Sequence, residues 1–124
     1  MLKVLVVDDN RPSRDLIVDI LRPLGYELAE APDGFTALIA AREMRPDLVV
    51  LDLAMPGMDG FAVLQQLRRD PGFAGLPVIA ITANAMPGER SKALLAGFTD
   101  FITKPLRSAE LRRRVEACLH GTPV

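Results

Sequence analysis

Short unbroken apolar runs alternate with longer amphipathic stretches along this chain. Val4-Leu5-Val6-Val7, Leu48-Val49-Val50-Leu51 and Val78-Ile79-Ala80-Ile81 contain no polar residue and are rich in β-branched side chains. Runs of this kind predict strands buried on both faces, as in a parallel sheet covered by helices on each side. Leu28-Ala29 and Phe101-Ile102-Thr103 are weaker and predict two further strands nearer the edges.

The intervening stretches have helical spacing. Leu16, Ile20, Leu21 and Leu24 form one stripe, closed by Gly25 where a helix C-terminus favours glycine. Phe35, Leu38 and Ile39 form a second after Asp33-Gly34, and Phe61, Leu64 and Leu67 a third after Asp59. Leu94, Leu95 and Phe98 belong to a fourth, and Leu111, Val115, Cys118 and Leu119 to a fifth, with Ser108 as the expected N-cap. Strand and helix thus alternate five times, which predicts an α/β fold with right-handed crossovers and helices on both faces. In such a sheet, ligands bind at the carboxyl ends of the strands.

Composition narrows the function classes. The 124 residues are 49% hydrophobic, which excludes disorder and predicts one domain over 1–124 with no effector domain. Fifteen Lys and Arg against sixteen Asp and Glu leave a net charge of −1, so no global field favours nucleic acid or an anionic membrane. One cysteine excludes a disulfide framework. The apolar runs of about five residues fall far short of the ~20 a membrane helix needs. A soluble cytoplasmic domain is expected.

The strand ends carry the chemistry. Asp8-Asp9 follow the first strand, Asp52 ends the third, Thr82 the fourth, and Lys104-Pro105 follow the fifth. Three carboxylates on one rim repel one another and call for a cation, and an oxygen-only donor set favours Mg²⁺ over zinc. Carboxylates, Mg²⁺, an ammonium and a hydroxyl suit a phosphoryl group, and a carboxylate can itself be the nucleophile.

These residues resemble the receiver domain of bacterial two-component response regulators, in the single-domain, chemotaxis-regulator-like form. The resemblance rests on Val6-Val7-Asp8-Asp9-Asn10, Asp52-Leu53-Ala54-Met55-Pro56-Gly57-Met58-Asp59-Gly60, Ile81-Thr82-Ala83 and Thr103-Lys104-Pro105, in order. It implies a flavodoxin-like (βα)5 sheet of order 2-1-3-4-5. It also implies that Asp52 accepts a phosphoryl group from a sensor histidine kinase or histidine phosphotransfer protein. Asp8, Asp9, Asp52 and the backbone carbonyl of Ala54 would hold Mg²⁺, and Lys104 would pair with phosphoryl oxygens. Thr82 would swing to the phosphate and Phe101 would follow inward; Phe101 has no hydroxyl, so no hydrogen bond fixes its inward state. Ala54 and Asn84 would tune the lifetime of the acyl phosphate, and Lys104–Pro105 would be cis. Output would leave as protein binding through the fourth helix, fifth strand and fifth helix, from a monomer or weak dimer that acts on no nucleic acid, inserts in no membrane and turns over no substrate.

Several of these residues have plainer roles open to them. Single aspartates at strand ends often cap helices, and Asp59-Gly60 reads as a cap and tight turn. Arg68-Arg69 and Arg112-Arg113-Arg114 read as solvated helix faces, His120 as a C-terminal cation and Cys118 as inert core. A haloacid-dehalogenase-like phosphatase would need a second Asp at position 54, and a flavodoxin-like redox carrier a hydroxyl- and Gly-rich loop in place of Asp-Asp-Asn-Arg-Pro. A degenerate receiver would lack an acidic or Lys position, and none is missing. The Met1 start and the Pro123-Val124 end predict a complete product, with a fragment of a hybrid kinase or larger regulator as the alternative. The stretch Thr82-Ala83-Asn84-Ala85-Met86 does not separate the two.

Overall fold

The computed structural model describes residues 1–84 and 86–121; Ala85 and Pro123-Val124, named above, lie outside them. The five strands are β1 (Lys3–Val7), β2 (Glu27–Ala31), β3 (Leu48–Asp52), β4 (Val78–Thr82) and β5 (Asp100–Thr103). They alternate with α1 (Arg11–Leu21), α2 (Gly34–Met44), α3 (Gly60–Arg68), α4 (Glu89–Ala96) and α5 (Ser108–His120). All strand pairs are parallel, in the order β2-β1-β3-β4-β5. The weak apolar runs are thus the edge strands, each with one open side and a less apolar sequence.

Alternation along each strand sends side chains to opposite faces and builds two cores. Val4, Val6, Val50, Ile79, Ile81 and Ile102 pack under α1 and α5 with Ile17, Leu21, Leu111 and Val115. Leu5, Val7, Val49, Leu51, Ala80 and Phe101 pack on the other side with Val63, Leu64, Ala93 and Phe98. No helix among the described residues is long and apolar enough to cross a membrane.

Several helix details differ from the sequence expectations. Leu16, Phe35, Ile39, Leu94 and Leu95 are exposed, while Ala37, Ala41 and Ala93 face the sheet. Small residues let α2 and α4 lie close to the strands, and the large apolar side chains then stand outside. The first helix stops at Leu21, and a 3₁₀ turn over Arg22–Leu24 carries the chain to Gly25, whose left-handed φ of 84° favours glycine. Arg107, not Ser108, occupies the N-cap of α5, with no side-chain cap. Asp59 does cap α3, accepting from the Ala62 N–H at 2.9 Å.

The arginine runs are also more than solvated faces. Arg112 Nε donates to the Ile20 carbonyl at 3.1 Å and Arg114 pairs with Asp100 at 2.6 Å, so only Arg113 of the three is exposed. Arg68 donates to the carbonyls of Phe73, Leu76 and Gly97 at 2.7, 2.8 and 3.1 Å. It ties the end of α3 to the approach to β4 and the end of α4.

Candidate functional site

The parallel sheet brings the predicted residues to one rim. Asp8 and Asp9 leave β1, Asp52 and Thr82 close β3 and β4, and Lys104 follows β5. One carboxylate oxygen from each of Asp8, Asp9 and Asp52 lies within 4.8 Å of the others. Asp8 is fully buried and Asp52 is 5% exposed, whereas Asp9 faces solvent. The Lys104 ammonium sits 3.2 Å from Asp8 Oδ2 and 3.9 Å from Asp52 Oδ2.

One ammonium does not offset three carboxylates, and Asp52 shows it. Burial first and the nearby Asp8 charge second push its carboxyl up to about 7, against the opposing pull of Lys104 and the Ala54 N–H. That N–H donates to Asp52 Oδ1 at 3.2 Å, and Ala54 itself is exposed. An excess of negative potential on an oxygen-only donor set, with no His or Cys in the cluster, fits a hard divalent cation such as Mg²⁺.

Close packing fixes the acceptor loop. A Cβ at position 60 would meet the Asp52 carbonyl oxygen and Leu53 Cα, each at 2.8 Å, so Gly60 lets α3 press against the end of β3. Asp59-Gly60 is therefore the cap and turn the sequence suggested, with a direct bearing on Asp52. Met55 is buried on the same loop, and Met58 packs against Gly34 of α2. Thr82 is 2% exposed, and its Oγ1 accepts from the Asn84 N–H at 3.0 Å. Phe101 is already buried, and Lys104–Pro105 is cis as the resemblance implied.

Sequence reasoning missed the residues that brace Asp8. Its Oδ1 accepts from the Asn10 N–H at 2.9 Å and its Oδ2 from Ser13 Oγ at 2.6 Å. Arg14 donates to the Asp8 carbonyl at 2.8 Å and pairs with Glu30 of β2 at 3.1 Å. The signal was present as Asn10-x-x-Ser13, but that spacing reads first as a helix cap. It is also that: Asn10 Oδ1 accepts from the Ser13 N–H at 2.9 Å.

Comparison with known proteins agrees with this fold. The family described as the response regulator receiver domain matches residues 4–116. The DNA-binding response regulator MtrA of Mycobacterium tuberculosis is 41% identical over 117 residues, which are 94% of this chain and 50% of that protein. The chain spans about half the length of the first curated relatives it matches. Among solved structures, the Vibrio cholerae chemotaxis protein CheY4 superposes with a TM-score of 0.90 at 30% identity, covering 96% of this chain and 99% of that one. The receiver domain of the Pseudomonas aeruginosa sensor histidine kinase PA1611, solved with a magnesium ion in its active site cleft, gives 0.87 at 34% identity, covering 96% and 98%.

The chain belongs to the response regulator receiver domain family of two-component signalling. It is a signalling domain rather than a turnover enzyme, and the phosphatase and redox-carrier readings fall away.

Proposed function

We propose that Asp52 of this cytoplasmic domain accepts a phosphoryl group from the phosphohistidine of a sensor histidine kinase or histidine phosphotransfer protein. The observation that carries this reading is a nearly buried carboxylate held beside two others and within 3.9 Å of the Lys104 ammonium. An Asp52 oxygen forms the new bond to phosphorus as the P–N bond breaks. The donor imidazole leaves with the bonding electron pair and takes up a proton. Lys104 offsets charge on the transferring oxygens, and the Ala54 N–H holds Asp52 Oδ1 so that the other oxygen faces the donor.

Asp8, Asp9 and Asp52, with the Ala54 carbonyl, would hold Mg²⁺, which when bound supplies charge neutralisation on the phosphoryl oxygens. Thr82 reports the modified state by exchanging its bond with the Asn84 N–H for one to the phosphoryl group, with Phe101 as the second switch residue. The signal then leaves as altered protein binding on the α4–β5–α5 face, where Leu94 and Leu95 stand exposed.

Incubation with acetyl phosphate and Mg²⁺, read by intact mass beside Asp52→Asn, tests the reading. One phosphoryl group gained by the wild type alone is expected. Equal labelling of the Asp52→Asn variant overturns the assignment, and transfer that persists in chelator overturns the metal argument.

A further inference from the structure

We infer that Ser13 is a positioning residue for phosphoryl acceptance, acting through Lys104; the inference rests on the reading of Asp52 as the acceptor. Asp8 is wholly inaccessible, so apart from a bound cation its carboxylate depends on protein donors. Its Oδ1 takes the Asn10 N–H, and its Oδ2 is shared between Ser13 Oγ at 2.6 Å and Lys104 Nζ at 3.2 Å. The hydroxyl bond is the shorter of the two.

Lys104 stands within ion-pair range of two carboxylates, nearer Asp8 than Asp52. Its service to a phosphoryl group on Asp52 requires that Asp8 not hold it outright. Ser13 meets part of the demand of Asp8 Oδ2 and thereby leaves the ammonium shareable. Without the hydroxyl, Lys104 becomes the only side-chain donor to that oxygen and is drawn away from the acceptor. The placement of Ser13 is itself fixed, because Asn10 caps its N–H and sets it in the first turn of α1, directly over the end of β1.

The test follows phosphorylation by acetyl phosphate or phosphoramidate in Mg²⁺ for Ser13→Ala and Ser13→Thr, in Lys104 and Lys104→Ala backgrounds. Ser13→Ala is expected to lower the maximal rate about tenfold, the factor that about 1.4 kcal/mol of barrier represents, with the half-saturating donor concentration little changed. Ser13→Thr, which keeps the hydroxyl, restores the rate. In the Lys104→Ala background Ser13→Ala changes the rate less than about twofold, because coupled residues lose additivity.

A wild-type rate in Ser13→Ala, or the same loss in both backgrounds, overturns the inference while leaving Asp52 as acceptor. Labelling of Asp52→Asn, or no labelling of the wild type by either donor, overturns both. Should Ser13→Ala not fold, Ser13→Cys replaces it, with a similar volume and a much weaker donor.

Discussion

The two ends of the sheet treat charge in opposite ways. At the amino end, Lys3 donates its backbone N–H to Asp47 at 2.8 Å, Arg45 pairs with Asp70 at 3.1 Å, and Arg68 gathers three carbonyls. The Asp70 carboxyl is held below the usual range, first by the Gly72 N–H and then by Arg45. At the carboxyl end, Asp52 moves the other way, to about 7. One fold thus settles its charges at one end and leaves them in conflict at the other. The conflict marks the end built to receive a ligand, since a pocket already satisfied has nothing to gain from a cation or a phosphoryl group.

Three measurements sharpen that contrast. The largest effect is expected at the settled end: Arg68→Ala takes the guanidinium from three carbonyls, of which Phe73 keeps the Leu76 N–H, and lowers unfolding free energy by about 2 kcal/mol in urea titration. A loss below about 1 kcal/mol would show that water replaces the guanidinium.

At the conflicted end the sign reverses. The folded state of the metal-free protein holds its Asp52 proton to higher pH than the unfolded chain does, so this contribution is complete below about pH 4 and is lost as the pH rises through about 7. Melting in chelator should therefore show a stability that falls across this window, and Asp52→Asn should flatten the fall and exceed the wild type at pH 8. A wild-type curve parallel to that of the Asn variant would remove the conflict from the picture.

The smallest effect belongs to Arg45→Ala. Its side chain is 57% exposed, and loss of an exposed ion pair costs about 0–1 kcal/mol. A larger loss would assign weight to its stacking on the Phe73 ring, 4.7 Å away.

The sheet and the rim were legible because both follow from strand pattern. Each buried run ends at a polar residue, and parallel strands bring those ends together. Helix faces were read less well. Hydrophobic spacing gives weight to Leu16, Phe35 and Leu95 and little to Ala37, Ala41 and Ala93, yet close helix–sheet contact selects the alanines. The braces were hidden for another reason. Ser13 on Asp8 and Arg68 on Gly97 join residues through contacts that hydrophobic periodicity does not encode, and an arginine beside another arginine looks like surface until its carbonyl partners are seen.

The slender attachment of α4 has a bearing on how such a protein diversifies. Of its eight residues only Ala93 is buried, and left-handed glycines, Gly88 and Gly97, stand at its two ends. Apart from Ala93, Arg90 on the Phe101 carbonyl and Lys92 over the Phe61 ring, the positions of that helix are free to change without disturbing the fold. None of them belongs to the rim that holds Asp8, Asp52 and Lys104. If this face binds other proteins as proposed, mutation or a designer can rewrite its vocabulary while the rim at the strand ends is inherited untouched.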